Sequence, residues 1–160
     1  MGNLEYSSDV QAVATWYGVF DLVKTEEHKK QLVREGETYK FEDDGVTERL
    51  MGCNLKENEV KYAYASPIYH VNKNMIPMLI QQGTSDKVVP YLQAIDFFNK
   101  YVKFCGDKDV HIDLLEAADH GDDAFRTDEN MHKVLKFMDK YIMEVKDRTY
   151  GLIPDISLVK

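Results

Sequence analysis

The stretch IPMLIQQGTSDKVVP, residues 76–90, decides the fold that this sequence predicts. Its short apolar run, MLI at residues 78–80, is typical of a buried strand, and Gly83 with the turn residues after it ends that strand. Asp86 follows in the polar loop, and Pro90 opens a predicted helix. An acidic residue just past the carboxyl end of a strand is typical of the functional edge of open α/β sheets.

A second strand is predicted at residues 110–116, and an Asp-His-Gly sequence containing His120 follows it. The helix predicted between the two strands, residues 90–105, has apolar residues at spacings of three and four. A strand–helix–strand unit makes the two strands parallel, so both end at the same edge of the sheet. We therefore expect Asp86 and His120 to lie together, as the acid and the histidine of a Ser-His-Asp triad do.

A first strand is predicted from Val10 to Tyr17, because its apolar, β-branched and aromatic residues suit a strand buried on both faces. The loop after it places Phe20 and Asp21 at the same edge of the sheet, where we expect them to line a substrate pocket; a solvated loop is the alternative. The other predicted elements are helices at residues 22–35, 47–52 and 57–65 and a last helix capped by Thr127 or Asp128.

The predicted fold class is α/β, with three parallel strands and flanking helices. At 160 residues, of which 44% are hydrophobic, the chain fits one domain with a packed core. We expect this domain to occupy residues 1–145 and an irregular tail, which contains Pro154, to occupy residues 146–160.

Composition and charge exclude several classes of partner. The formal net charge of -8 argues against a nucleic-acid or anionic-membrane partner, because both require a basic surface. No apolar run approaches the roughly 20 residues of a membrane helix, and we expect no signal peptide at the amino terminus. Cys53 and Cys105 match neither a zinc spacing nor a disulfide-rich pattern, which favours a reducing, cytoplasmic location. We expect no cofactor and no bound metal.

Each candidate site residue also has a plainer interpretation. Asp86 lies in Gly-Thr-Ser-Asp-Lys, which is good turn composition by itself. His120 also fits a solvated loop histidine. The carboxylates of Asp119, Asp122 and Asp123 around it permit a metal site, although one histidine among crowded carboxylates is poor geometry for zinc. The remaining histidines are all predicted on the surface: His28, His70, His111 and His132.

A nucleophile is the missing member of the predicted triad. The strand–turn–helix elbow G-x-S-x-G, which exposes a strained serine, occurs nowhere in the 160 residues. Ser66 precedes a proline and Ser85 is next to the predicted acid, whereas Ser7 and Ser8 precede a strand instead of following one. Neither cysteine has the context of an elbow, so the sequence predicts no internal nucleophile.

Four stretches together resemble the C-terminal half of an α/β-hydrolase of the esterase, lipase and prolyl-oligopeptidase-like group, close to acetyl- and feruloyl-esterase-like enzymes. They begin at residues 3, 47, 77 and 119 and read NLEYSSDVQAVATWYGVFD, TERLMGCNLKENEVKYAYASPIYHV, PMLIQQGTSDKVVPYLQAIDFF and DHGDDAF. The Gly-x-x-Asp-x-x-Val-Pro of the third stretch is the most specific, since it marks the acid-bearing loop of that family.

The resemblance implies that Asp86 is the triad acid and His120 the triad base. The family usually has His-Gly where this chain has Gln82 and Gly83, a mild departure that we expect not to touch the triad. In the family, the serine elbow and the oxyanion-hole loop lie on strands that precede the first strand found here. The resemblance therefore implies the C-terminal portion of a serine carboxylic-ester hydrolase. We expect it to be inactive alone and to act on a small ester only when an N-terminal half completes it.

The alternative function is a non-catalytic remnant that acts as an oligomeric structural or binding module. Without a partner strand, the strand from Val10 to Tyr17 is an exposed apolar edge, which favours pairing with another chain. We therefore expect a homodimer through this edge, or pairing with the missing N-terminal half.

Overall fold

The computed structural model describes residues 6–7, 9–34 and 45–143. In chain order, the strands and α-helices of the described residues are β1 (Val13–Trp16), α1 (Thr25–Arg34), α2 (Val46–Met51), α3 (Glu59–Ala65), β2 (Met78–Gly83), α4 (Leu92–Cys105), β3 (Val110–Leu115) and α5 (Asp128–Met138). Short 3-10 turns lie at Pro67–His70 and Asp123–Arg126, and a π-helical turn, Asp139–Met143, continues α5. The predicted tail at residues 146–160 lies outside the described residues.

The three strands form one parallel sheet with β2 in the centre. Thr15 of β1 pairs with Ile80 of β2, which in turn pairs with Ile112 of β3. All six residues of β2 are buried, because the strand has a neighbour on each side and a packed cluster on each face. The predicted α/β fold class with three parallel strands is confirmed.

Helices α4 and α5 cover opposite faces of β2. Ile80 packs in one cluster with Phe97 and Tyr101 of α4, whereas Leu79 packs in a second cluster with Phe137 of α5. Successive side chains of a strand point to opposite faces, so this one apolar strand contributes to both layers of the core.

Strand β1 differs from its prediction in length and in burial. It spans Val13–Trp16 instead of residues 10–17, and all its residues are only partly buried. The cause is its position, since β1 pairs with β2 on one side and with no described strand on the other. The chain leaves the strand at Tyr17, whose φ of 44° lies in the left-handed region that favours glycine.

Capping side chains decide where α1 and α5 begin. Oδ1 of Asp21 accepts hydrogen bonds from the backbone N–H groups two and three residues later, at 2.9 and 3.0 Å, and so stabilises a turn. Helix α1 therefore begins after this turn, at Thr25, and not at residue 22. At α5 the predicted cap is confirmed, because Oγ1 of Thr127 accepts from the N–H of Asn130 at 3.3 Å.

The loops after β2 and β3 approach each other closely at Gly83. A Cβ atom on this residue would lie 2.3 Å from the carbonyl oxygen of Ala118, so only glycine fits. The N–H of Ser85 donates to the same carbonyl at 3.0 Å, and the N–H of Thr84 donates to the carbonyl of Leu115 at 3.0 Å. These contacts bring both predicted site loops together at the carboxyl edge of the sheet.

Candidate active site

Asp86 and His120, called the acid–histidine pair below, lie in contact. Oδ2 of Asp86 is 3.0 Å from Nδ1 of His120; the carboxylate is fully buried, and 33% of the imidazole side chain is exposed. A carboxylate oxygen accepts hydrogen bonds, so Nδ1 carries the proton of the neutral ring. The arrangement leaves Nε2 as the nitrogen that can accept a proton.

Four hydrogen bonds hold the carboxylate of Asp86. Its Oδ1 accepts from the backbone N–H groups of Val88 and Val89, both at 2.8 Å. Its Oδ2 accepts from Nε2 of Gln82 at 2.7 Å and from His120. The turn interpretation of Asp86 is therefore correct for one oxygen, while the other oxygen faces the histidine. Because hydrogen bonds to a carboxylate are strong, they fix its orientation toward the imidazole.

Gln82 corrects one expectation from the sequence. The departure at this residue was expected not to touch the predicted triad, but its Nε2 donates directly to the carboxylate of Asp86 and, at 3.2 Å, to the carbonyl of Val89. The side chain is fully buried, and its Oε1 has no hydrogen-bond partner among the described residues. The signal in the sequence is a polar residue at the end of an apolar strand, four positions before the acid.

Asp119 ties the two site loops together. Its Oδ1 accepts from the N–H of Lys87 at 3.0 Å and from the N–H of His120 at 2.8 Å, and its Oδ2 forms an ion pair with Nζ of Lys87. Burial alone would raise the pKa of Asp119. The hydrogen bonds and the lysine charge together outweigh burial, so the pKa of Asp119 is lowered to below its usual range. Within the described ranges, no group of three or more His, Cys, Asp or Glu side chains is placed to hold a metal ion.

Tyr17 is a contact of the histidine that the sequence analysis missed. Its ring centroid is 4.5 Å from that of His120, and Phe125 packs against Tyr17 in a T-shaped arrangement with centroids 5.0 Å apart. Its left-handed backbone costs energy, and such strain is common at functional sites. The available signal is its position, since an aromatic residue at the carboxyl end of β1 lies at the same edge of the sheet as the pair.

Phe20 and Asp21 lie in the interior, with exposed fractions of 4% and 2%. Phe20 stacks on Phe97 of α4 with ring centroids 4.4 Å apart, and Asp21 stabilises the turn before α1. Their neighbours Val19 and Leu22, by contrast, line a pocket. The loop is thus placed as expected, whereas the two predicted side chains point into the core, and their role in substrate binding stays a prediction.

Within the described ranges, no serine hydroxyl hydrogen-bonds to the acid–histidine pair. Ser66 is fully buried, and two backbone groups engage its hydroxyl at 2.7 and 2.9 Å. Ser85 is half-buried beside the acid, and the exposed Ser7 accepts from a backbone N–H nearby. Ser8 and Ser157 lie outside the described residues.

His28 is buried, so its predicted surface position is wrong. Only 4% of the residue is exposed, and its Nε2 is 3.2 Å from Oδ2 of Asp96. The cause is the packing of α1 on α4, which turns this face of α1 inward. His70 and His111 are exposed as predicted, and His132 is half-buried.

The three parallel strands and their flanking helices form part of an α/β-hydrolase fold. The BD-FAE family model matches residues 2–101, so the chain belongs to the BD-FAE family. The resemblance to esterase-like α/β-hydrolases is thereby confirmed. A comparison with curated proteins found no match.

Solved structures with the same fold include esterases and a peptidase. A truncated form of a carbohydrate esterase from gut microbiota has a TM-score of 0.70 at 23% identity, over 88% of this chain and 46% of that chain. Esterase 2 of Thermogutta terrifontis, phosphonylated by sarin, has a TM-score of 0.58 at 22% identity, over 94% and 49%. The acylaminoacyl peptidase of Pyrococcus horikoshii has a TM-score of 0.64 at 18% identity, over 90% and 22%.

The present chain spans about half the length, or less, of these structures. At such low identity the likeness extends to the fold alone. None of the helices in the described part of the chain is long and apolar enough to cross a bilayer.

Proposed function

We propose that Asp86 and His120 are the acid and the base of a Ser-His-Asp triad, and that this chain is the C-terminal portion of a carboxylic-ester hydrolase. The observation that carries this proposal is the buried carboxylate whose Oδ2 lies 3.0 Å from Nδ1 of His120. A carboxylate held by three further hydrogen bonds orients the imidazole and stabilises its protonated form.

The chemistry assigned to the pair is proton transfer at Nε2. As the serine oxygen bonds to the ester carbonyl carbon, Nε2 takes the hydroxyl proton. Nε2 returns this proton to the alcohol oxygen when the bond between the carbonyl carbon and that oxygen breaks. Water then attacks the carbonyl carbon of the acyl-enzyme and gives a proton to Nε2, which returns it to the serine oxygen as the acid leaves. Throughout, Asp86 keeps Nδ1 in place and balances the charge of the imidazolium.

The serine and the oxyanion hole are proposed to lie on polypeptide outside these 160 residues. Two observations support this. The solved carbohydrate esterase and esterase 2 are about twice as long as this chain, which covers 46% and 49% of them. Strand β1 has no described neighbour on its outer side, where a further parallel strand of the fold pairs. Loss of a triad member removes several orders of magnitude of rate, so the chain alone is expected to be almost inactive.

Complementation tests this proposal. The chain is co-expressed with the polypeptide encoded directly upstream of it, and hydrolysis of p-nitrophenyl acetate is measured for each part and for both together. We expect turnover only from both together, its loss in His120→Ala and its retention in His111→Ala, whose exposed histidine on β3 is the matched control. A fluorophosphonate probe should label only the upstream polypeptide.

Two results would overturn the proposal. Turnover by the chain alone that disappears in His120→Ala would place the nucleophile inside these 160 residues. Complemented turnover that survives in His120→Ala would remove His120 from the triad. An upstream region without a G-x-S-x-G frame would favour the second candidate function.

The second candidate is a non-catalytic module that self-associates through β1. The N–H of Val13 donates to the carbonyl of Pro77, just before β2, and the N–H of Tyr17 donates to Gln81 of β2. By strand alternation, the N–H groups of Ala14 and Trp16 therefore point to the outer side. We propose that this outer side pairs with the same strand of a second copy when no N-terminal half is present.

Light scattering after size-exclusion chromatography measures this association. We expect a dimer, and we expect Ala14→Pro to give a monomer, because proline removes an outward N–H while the inward bonds of β1 remain. A clean monomer of the parent chain at tens of micromolar contradicts the second candidate.

A further inference from the structure

Tyr17 has a backbone conformation that its side chain does not favour. Its φ of 44° lies in the left-handed region, where a Cβ atom crowds the following carbonyl oxygen. Glycine adopts this region freely, yet the residue here is a tyrosine and the glycine comes next, at position 18. Such a conformation persists only where the surrounding contacts hold it, so those contacts indicate the role of the residue.

Hydrogen bonds on both sides hold the backbone of Tyr17 in this turn. Its own N–H donates to the carbonyl of Gln81 at 2.9 Å, which continues the pairing of β1 with β2. The N–H groups of Phe20 and Asp21 then both donate to Oε1 of Gln93 in α4, at 2.9 and 3.0 Å. The chain therefore turns from the sheet toward α4 between residues 17 and 20.

The turn also changes the direction of the Tyr17 ring. Along β1, Val13 packs in the cluster of α4 and Ala14 in the cluster of α5. Strict alternation would continue with Trp16 on the α5 face and Tyr17 on the α4 face. Instead both rings contact Phe125, in the 3-10 turn before α5, with centroids 6.0 Å from Trp16 and 5.0 Å from Tyr17. The left-handed φ therefore turns the tyrosine ring away from α4 and onto Phe125.

In this position the ring of Tyr17 contacts the imidazole of His120. The ring centroids are 4.5 Å apart and the planes are tilted by 51°, at the short end of the range for aromatic pairs. The hydrogen bond from Nδ1 to Asp86 fixes one end of the imidazole, but 33% of the side chain is exposed, so the ring could still swing toward water. An aromatic ring packed beside the imidazole removes this freedom.

We propose that Tyr17 is a positioning residue for His120. Its ring restricts the imidazole to the orientation in which Nδ1 meets Asp86, and the strained turn is the feature that places the ring there. Tyr17 itself transfers no proton. The further assignment, that Nε2 is thereby directed at a serine, rests on the proposed function, whereas the restriction of the imidazole does not.

Three variants separate the ring of Tyr17 from its backbone. Tyr17→Gly and Tyr17→Ala both remove the ring, but only glycine adopts the left-handed region without strain. In urea unfolding followed by circular dichroism, Tyr17→Gly should therefore have a higher midpoint than Tyr17→Ala. The opposite order would contradict the strained turn. The third variant, Tyr17→Phe, keeps the ring.

NMR spectra of the His120 imidazole measure the positioning without any turnover. We expect the Nδ1 proton to exchange with water about threefold to tenfold faster in Tyr17→Gly and Tyr17→Ala, which corresponds to the usual strength of an aromatic contact. The physical reason is that the imidazole then spends more time turned away from Asp86. The carbon-bound ring protons should also move toward their positions in free histidine, because the ring current of Tyr17 is lost. Tyr17→Phe should keep the slow exchange.

Tyr64→Ala is the matched control. Tyr64 also packs against a histidine, with a T-shaped contact to His70 at 5.7 Å between centroids, but it is 79% exposed on α3. Its loss should leave the signals of His120 unchanged. The proposal is overturned if the Nδ1 proton of His120 exchanges equally fast in the parent chain and in Tyr17→Gly, or if Tyr64→Ala accelerates that exchange as much.

The complemented enzyme tests the assignment to the reaction. Tyr17→Gly should lower kcat by about tenfold and change KM by less than about twofold, since a misdirected imidazole impairs proton transfer more than binding. Tyr17→Phe should recover most of kcat. Faster exchange of the Nδ1 proton without a fall in kcat would keep the positioning role and remove its part in the reaction. A lack of complemented activity would count against the proposed function, whereas the exchange of the Nδ1 proton decides the positioning role by itself.

Discussion

The substitution Asp86→Ala tests whether one buried carboxylate organises the candidate site. Asp86 is 1% exposed and accepts hydrogen bonds from Val88, Val89, Gln82 and His120. Alanine removes the acceptor from all four donors. The imidazole is partly exposed and can turn to water, so three donors remain in the interior without an acceptor.

The magnitude follows from these three donors. A buried donor without an acceptor costs about 1–3 kcal/mol. Val88 is 37% exposed, so water reaches part of the loop and the lower part of that range applies. At about 1–1.5 kcal/mol per donor, the expected loss is about 3–4.5 kcal/mol. This is a large part of the roughly 5–15 kcal/mol by which a domain is stable.

The substitution Asp86→Asn separates the shape of the side chain from its charge. Oδ1 still accepts from the two backbone N–H groups, and Gln82 can turn its amide so that Oε1 accepts from the new NH2 group. The turned amide gives up its hydrogen bond to the carbonyl of Val89, so we expect a loss of about 1–2 kcal/mol, smaller than that of Asp86→Ala. Because the NH2 group also faces Nδ1 of His120, the imidazole must present a lone pair there and carry its proton on Nε2.

Two measurements check these expectations. Urea unfolding followed by the fluorescence of Trp16, the single tryptophan, gives the stability, and ¹⁵N–¹H spectra of the imidazole give the tautomer. Asp123→Ala is the matched control, since its side chain is 97% exposed and the change should cost within about 0.5 kcal/mol. The reasoning is refuted if Asp86→Ala loses no more stability than this control, or if Nδ1 keeps its proton in Asp86→Asn.

Three further substitutions probe the support of the site. Gly83→Ala should cost about 2 kcal/mol or more, because its Cβ would meet the carbonyl oxygen of Ala118 at 2.3 Å; an unchanged urea midpoint contradicts this. Asn130→Ala breaks a reciprocal amide pair with Gln81, at 2.6 and 3.0 Å, and should cost about 2–3 kcal/mol. If the double variant Gln81→Ala/Asn130→Ala loses as much stability as the two single alanine variants added together, the two side chains do not act as a pair. The lowered pKa of Asp119 contributes stability above its unfolded pKa, and this stability is lost as pH falls through the folded pKa. Asp119→Asn should therefore cost at most about 1 kcal/mol near pH 7, and progressively less as the pH falls below the ordinary aspartate pKa of about 3.9; a loss that does not shrink on acidification would contradict this.

The acid–histidine pair was predictable because its causes lie in short stretches of sequence. The turn that presents Asp86 is encoded between Gly83 and Pro90, and the apolar runs on either side of α4 define two parallel strands. Parallel strands end at one edge, so the loop with His120 had to lie beside the loop with Asp86. No detail of the tertiary packing was needed for this inference.

The residues around the pair depend on packing that no local pattern encodes. The loop after β1 has no periodicity, so the direction of each side chain is decided by its contacts. Phe20 stacks on Phe97 in the core, whereas its neighbours Val19 and Leu22 line a pocket beside the acid-bearing loop. Gln82 was missed for a similar reason, since only the fold of the turn shows that it reaches the acid.

The position of the histidine ring bears on where a nucleophile has to come from. His120 belongs to the loop after β3, yet its ring packs on Tyr17 at the end of β1, with centroids 4.5 Å apart. The imidazole therefore contacts the residue at the end of the strand whose outer side has no described partner. Neighbouring strands lie about 4.8 Å apart. A strand added beside β1 would thus end one strand spacing from Tyr17, and a serine just past its end would come within reach of the imidazole.

A partner that pairs elsewhere would leave Nε2 of His120 without a serine. Complementation should therefore fail in Ala14→Pro, although the acid–histidine pair itself is unchanged.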